Sequence, residues 1–265
     1  MFKEERNSFF KIRKENVTTD SGIIINNRVA LVNDDTNDVI GFVSKGYEVV
    51  SNEMVADIWD RALSGLKIAK TIDHLDATTK RWKRHVVFAD DELNFTVKGD
   101  DTVGVLLQLF NGYDGRTAFG FELMGYRWMC ENGIVTGKKR LLSGTFAHYS
   151  DNPEKFRQSV ETRWPLFRQL ADTWKEWTQI PFDFSKFNEF VDSKSYVSPK
   201  VKESIKSLYP MILDRQKMED NKWGAFNVLT YLSTHETKAR KGSNVFSNRY
   251  KVINRLAEDM YDERI

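Results

Sequence analysis

The sequence predicts an α+β fold: an antiparallel β-sheet with its central hairpin at about residues 103–129, packed against helices, with a helical C-terminal layer. Three observations carry this expectation. Two apolar runs, Val103–Phe110 and Arg116–Met129, flank the cluster Asn111-Gly-Tyr-Asp-Gly115, whose glycines and Asp tolerate the positive φ angles of a tight or bulged hairpin. Val55, Ile58, Trp59, Ala62, Leu63 and Leu66 recur on one helix face behind the N-cap candidates Ser51 and Asn52. From Pro153 onward helical spacing returns, first in Phe156, Val160, Phe167, Leu170 and Trp174, later in Ala225, Val228, Leu229 and Leu232. No linker-like composition separates these parts. The expectation is a single domain: an N-terminal β meander over 1–45, core sheet and helices over 46–178, and the helical layer over 179–265.

The elements follow in order. Residues 1–16 are charged and read as loosely held. Ile23–Ile25, Val29–Val32 and Val39–Val43 are β-prone runs divided by Asn26-Asn27 and by the turn Asn33–Asp38. A helix then runs to about Gly65, followed by strands at Lys67–Asp76, His85–Phe88 and Asn94–Val97. Asp151-Asn-Pro153 signals a helix start, and Pro165 should kink that helix. Tyr196–Lys200 caps a further helix through Leu208, and Asp220–Gly224 opens the last long one, ending near Glu236.

The composition excludes some functions and narrows others. Lys and Arg total 40 against 38 Asp and Glu, so the formal net charge is +2, and nucleic-acid binding must rest on local clusters. The single Cys130 permits no internal disulfide, in keeping with a reducing cytoplasm. No apolar run is long enough to cross a membrane. Aromatic residues reach 13%, with 18 Phe, 9 Tyr and 7 Trp; most must be core, and any on the surface are stacking platforms.

The best chemical cluster is Lys80, Arg81, Trp82, Lys83 and Arg84. Cations meet phosphates, and an indole can stack on an unpaired base; the structural alternative is a solvated hairpin end with Trp82 folded inward. Lys138, Lys139 and Arg140 form a second basic cluster, and Tyr113 and Arg116 in the hairpin turn are further candidate contacts. A third lies at Lys238–Gly242. Asp90, Asp91, Asp100, Asp101 and Asp114 suggest a metal-dependent nuclease, but no Asp/Glu-x-Lys signature accompanies them. Cys130 has no nearby His to activate it, His148 reads as a structural group at a helix start, and His235-Glu236 lacks the second His of a zinc helix. Arg127 reads as a buried partner of Asp114 or Glu122.

Asn111–Gly115, Gly125–Gly133 and His148–Asn152, with the later Trp223-Gly-Ala-Phe-Asn-Val-Leu-Thr-Tyr231, resemble the phage/plasmid-like family catalogued as domain of unknown function 932. Asp114 and Gly115 match its Ser-His-Asp-Gly pattern, whose Ser-His is Gly112-Tyr113 here; Arg127, Cys130, Asn132 and His148 also match. The order helix, antiparallel strands, long helix is similar to that of Rad-type and RecT-type single-strand annealing proteins. Together these imply a phage-type, non-catalytic single-stranded-DNA-binding or annealing protein of recombination or replication in the host cytoplasm. It would assemble as a ring or filament, with no cofactor, metal or membrane partner. The alternatives are a non-DNA host-takeover or anti-defence protein and the nuclease.

Overall fold

The computed structural model describes residues 8–75, 81–115, 117–128, 132–134, 142–146, 153–235 and 245–262. The fold is α+β, with antiparallel sheets. The first sheet has the order β1-β2-β3, from Ile12–Thr18, Ile24–Asn33 and Val39–Ser44. The second has seven strands: β4 (Ile68–Leu75), β5 (Trp82–Phe88), β6 (Asn94–Lys98), β7 (Asp101–Asn111), β8 (Phe119–Arg127), β9 (Asn132–Ile134) and β10 (Ser143–Phe146). Its order is β10-β8-β7-β5-β4, with β6 paired to β7 and β9 to β8. The helices are α1 (Asn52–Ala62), α2 (Pro153–Glu161), α3 (Trp164–Trp177), α4 (Phe184–Ser193), α5 (Pro199–Arg215), α6 (Lys222–His235) and α7 (Val245–Asp262).

The chain divides into two compact units, neither continuous in sequence. One comprises Met1–Phe88, Leu107–Glu122 and Ser143–Arg163; the other comprises Ala89–Leu106, Leu123–Leu142 and Trp164–Ile265.

In the first unit, the end of the charged segment expected to be loose, residues 12–16, falls in strand β1, while residues 1–7 lie outside the described residues. The register of β1 with β2 runs from Ile12 opposite Asn33 to Thr18 opposite Ile24. Arg13 neutralises its neighbours, meeting Glu15 at 2.6 Å and Asp34 at 3.1 Å, so a charge-rich outer face coexists with a packed inner one. The runs Ile23–Ile25 and Val29–Val32, read as separate, largely fall in the single strand β2. Phe10, Val29, Leu31, Val43 and Tyr113 form the apolar cluster beneath this sheet. Helix α1 starts where expected, with the Ser51 hydroxyl accepting the Met54 N–H at 3.0 Å. Its buried Trp59 meets Phe121 at 5.4 Å and Phe156 of α2 at 5.5 Å, centroid to centroid, an edge-rich arrangement suited to ring quadrupoles.

In the second unit, Pro165 does more than kink a helix. It sits in the first turn of α3, where its missing N–H is harmless, and α2 and α3 are separate helices divided at residues 162–163. Helix α5 runs past the expected Leu208 to Arg215 and carries Pro210 inside it. Helix α6 was expected to bury one apolar face, yet Trp223, Ala225, Phe226, Asn227, Val228, Leu229, Thr230, Leu232 and Ser233 are all buried. A helix covered around its whole circumference is a core helix. The Trp174 ring of α3 lies 5.5 Å from that of Trp223, centroid to centroid and tilted, and its Nε1 donates to the Tyr261 hydroxyl of α7 at 2.6 Å. Gly224 is fixed by crowding: a Cβ there would lie 2.1 Å from the Glu219 carbonyl oxygen and 3.1 Å from Leu213 Cδ1. Gly224→Ala is therefore expected to lower stability by roughly 1–3 kcal/mol despite alanine's better helix propensity, which urea denaturation would measure.

Candidate functional site

Within the first unit, the turn between β7 and β8 folds against β2 and β3 and leaves a hollow of about 520 Å³. Arg28, Phe42, Val43, Ser44, Tyr47, Arg81, Asp114 and Gly115 line it. The volume is in the range of small-ligand sites. The approach of strand to turn is close. A Cβ on Gly41 would lie 2.8 Å from the Tyr113 carbonyl oxygen, and one on Gly115 (φ 67°) would lie 3.0 Å from Val43 Cγ1. Glycines at 41 and 115 thus set the shape of the hollow.

Asp114 organises the polar side. Its Oδ1 accepts the Thr117 N–H at 2.8 Å and its Oδ2 accepts the Thr117 hydroxyl at 3.0 Å, an Asx-type turn. The same Oδ2 accepts Arg81 Nη2 at 2.7 Å and Nε at 3.2 Å. Arg28 is exposed and has no ion pair among the described residues. Among the described lining residues two guanidiniums face one carboxylate, a balance that favours anions. Burial, with the Asp114 charge second, pushes the Tyr47 hydroxyl up to about 12, so it keeps its proton and remains a donor at neutral pH. Phe42 stands 58% exposed at the same hollow.

The structure redistributes the residues predicted to bind nucleic acid. Trp82 and Tyr113 are fully buried, which corrects their reading as stacking platforms. Trp82 Nε1 donates to Asp73 at 2.8 Å, and the Tyr113 hydroxyl accepts the Asn52 N–H at 2.7 Å; each ring satisfies its polar atom inside. Arg84 is also inward, held by Asp73 at 3.0 Å and Asp60 at 3.1 Å. The cause is strand alternation: in β5, Trp82, Arg84 and Val86 face one way while Lys83 is exposed. Of the first cluster, Arg81 and Lys83 reach solvent. Lys80, Arg116, Lys138, Lys139 and Arg140 lie outside the described residues, as do Cys130, His148 and the Lys238–Gly242 cluster.

The hollow's other residues were missed. Arg28, Phe42 and Tyr47 belong to the N-terminal meander and the segment after it, where the signal was slight: Val39-Ile-Gly-Phe-Val43 is apolar on both alternating faces, so nothing in its pattern marks Phe42 as exposed.

The carboxylates proposed for a nuclease have other work where their contacts are seen. Asp101 is buried between Arg127 Nε (2.6 Å) and Trp223 Nε1 (2.9 Å). Arg127 is thus buried as expected, and it is bonded to Asp101 and, at 3.2 Å, to Gln216. Among the described residues, no three His, Cys, Asp or Glu side chains group as a metal cage, and no helix is long and apolar enough to cross a membrane.

The residues behind the family resemblance therefore separate by role. Arg127 and Trp223 clamp one buried carboxylate, and Asn227 and Thr230 bond back to helix carbonyls at 2.8 and 3.0 Å. Asp114 and Gly115 line the hollow. No curated protein and no solved structure matches the chain, and the likeness to Rad-type and RecT-type annealing proteins rests on element order alone. A family model matches residues 39–255. That span includes every motif just placed, and the chain belongs to the family described as domain of unknown function (DUF932).

Proposed function

We propose that the protein binds single-stranded nucleic acid through this hollow, as a non-catalytic strand-binding or annealing protein. The supporting observation is that two arginines and an exposed phenylalanine line one cavity. Arg28 and Arg81 hold a backbone phosphate, and Phe42 offers its ring to the neighbouring base. Stacking is indifferent to sequence because every base has a π-face. An annealing protein needs no acid, base or metal. It has to offset the repulsion of two strands and leave their base edges free.

Titration of an internally labelled oligothymidylate, with a duplex control, tests this across a salt series. Binding should prefer the single strand and weaken with rising salt. Arg28→Ala and Phe42→Ala should each weaken it about tenfold, the scale of one charged hydrogen bond or one stacked base. Absence of binding at low salt would reject the proposal.

A second reading, a protein-interaction role, is favoured by a different observation. Ile23, Ile24 and Ile25, at the start of β2, are 66%, 51% and 37% exposed, a run of exposed apolar side chains of the kind found at protein contacts.

A further inference from the structure

Resting on that reading, we infer that the hollow selects a strand end bearing a terminal phosphate over the diester phosphates within a strand, with Arg28 as the selecting residue. Arg81 is already paired. Its Nε and Nη2 both donate to one oxygen of Asp114, so an incoming phosphate meets a guanidinium that already has an anionic partner. A phosphodiester carries a single negative charge, the same as the carboxylate it must compete with. It has no electrostatic advantage over Asp114. A phosphomonoester carries about −1.5 to −2 charges at neutral pH and three acceptor oxygens. It can share Arg81 with Asp114 and still engage Arg28 and the Tyr47 hydroxyl, which line the same cavity.

The shape agrees with an end rather than a passing strand. A groove that tracks a backbone presents cations along its length. Here two arginines border one concave space of about 520 Å³, with Phe42 and Tyr47 beside them. That encloses one nucleotide with its phosphate. The floor is firm, because Asp114 is tied to Thr117 by both backbone and side chain.

The experiment compares internally labelled oligothymidylates of one length carrying a 5′-hydroxyl, a 5′-phosphate or a 3′-phosphate. A phosphorylated end is expected to bind about tenfold more tightly, the scale of one added charge-assisted bond. With Asp114→Asn the gap should widen, because loss of the carboxylate relieves repulsion of the more highly charged phosphomonoester more than that of a diester. Asn retains an acceptor for the Thr117 N–H, and a melting curve reports whether the turn survives. Arg28→Ala, which removes none of the bonds that hold that turn, gives an independent reading: it should bring all three oligonucleotides to within about twofold by removing the second cation. Equal affinity of the wild-type protein for all three would overturn the end-selection while leaving strand binding intact. Binding to none would reject both.

Discussion

Arg127→Met is expected to destabilise the protein by about 3–5 kcal/mol, the largest effect of any single polar substitution proposed for this chain. Arg127 is 1% exposed, and its Nε lies 2.6 Å from Asp101. Removing the guanidinium leaves a carboxylate out of water with only the Trp223 Nε1–H, at 2.9 Å, still donating to it. One neutral donor does not replace a full charge. The methionine fills most of the vacated volume, so the loss reports on electrostatics more than on a cavity. Urea denaturation should show a lower midpoint with an unchanged slope. Changing Asp101 to Asn in the same background should recover part of the loss, because the stranded charge is then gone. If Arg127→Met alone costs under about 1 kcal/mol, the pair is not buried as described.

The second large effect is acid lability through His85. This ring is held at 3.0 Å from Gln108 Oε1, and its centroid lies 5.0 Å from that of His74. Burial first, and then the neighbouring His74 and Lys83, lower it to about 4, while the Gln108 bond opposes them. Burial and Lys83 lower His74 as well, against Asp73. The folded ring is therefore neutral over a range in which the unfolded chain takes up a proton. For a depressed histidine the unfolded state binds more protons between about pH 6.5 and 4, so stability is full above that window and falls as the pH drops through it. The loss reaches about 3 kcal/mol at its lower end, taking 1.36 kcal/mol per unit. Carboxylates titrate in the same window, so the diagnostic is the difference between wild type and His85→Gln. The variant's stability should fall less steeply with acid, and parallel curves would contradict this account.

The sequence was legible where a pattern had one physical cause. The hairpin flanking Asn111–Gly115, the cap at Ser51 and the face carrying Val55, Ile58 and Trp59 each follow from local chemistry, and each is present. Strand β1 was misread because its charges looked like solvation, whereas Arg13, Glu15 and Asp34 satisfy one another at the surface of a sheet. Helix α6 was read as one-sided because Asn227, Thr230 and Ser233 are polar. Their side chains bond to carbonyls within the helix and so can be buried. At the site, Arg81 and Asp114 were named singly and their pairing was not foreseen, since 33 residues separate them. Trp82 shows why a basic-aromatic cluster misleads: alternation along a strand turns its members to opposite faces, and only the surrounding sheet decides which face meets water.

Tyr113 stands where the family pattern has a histidine, and its hydroxyl is committed to the first turn of α1 through the Asn52 N–H. An amide at a helix start has no partner within its own helix and ordinarily faces solvent. Here it is sealed beneath the turn that carries Asp114. Exchange of that single proton for deuterium requires the Tyr113 bond to open, so its protection reports the opening free energy of the hollow's floor. One amide resonance thus reports on the site without any ligand bound, and a strand held by Arg81 should slow its exchange.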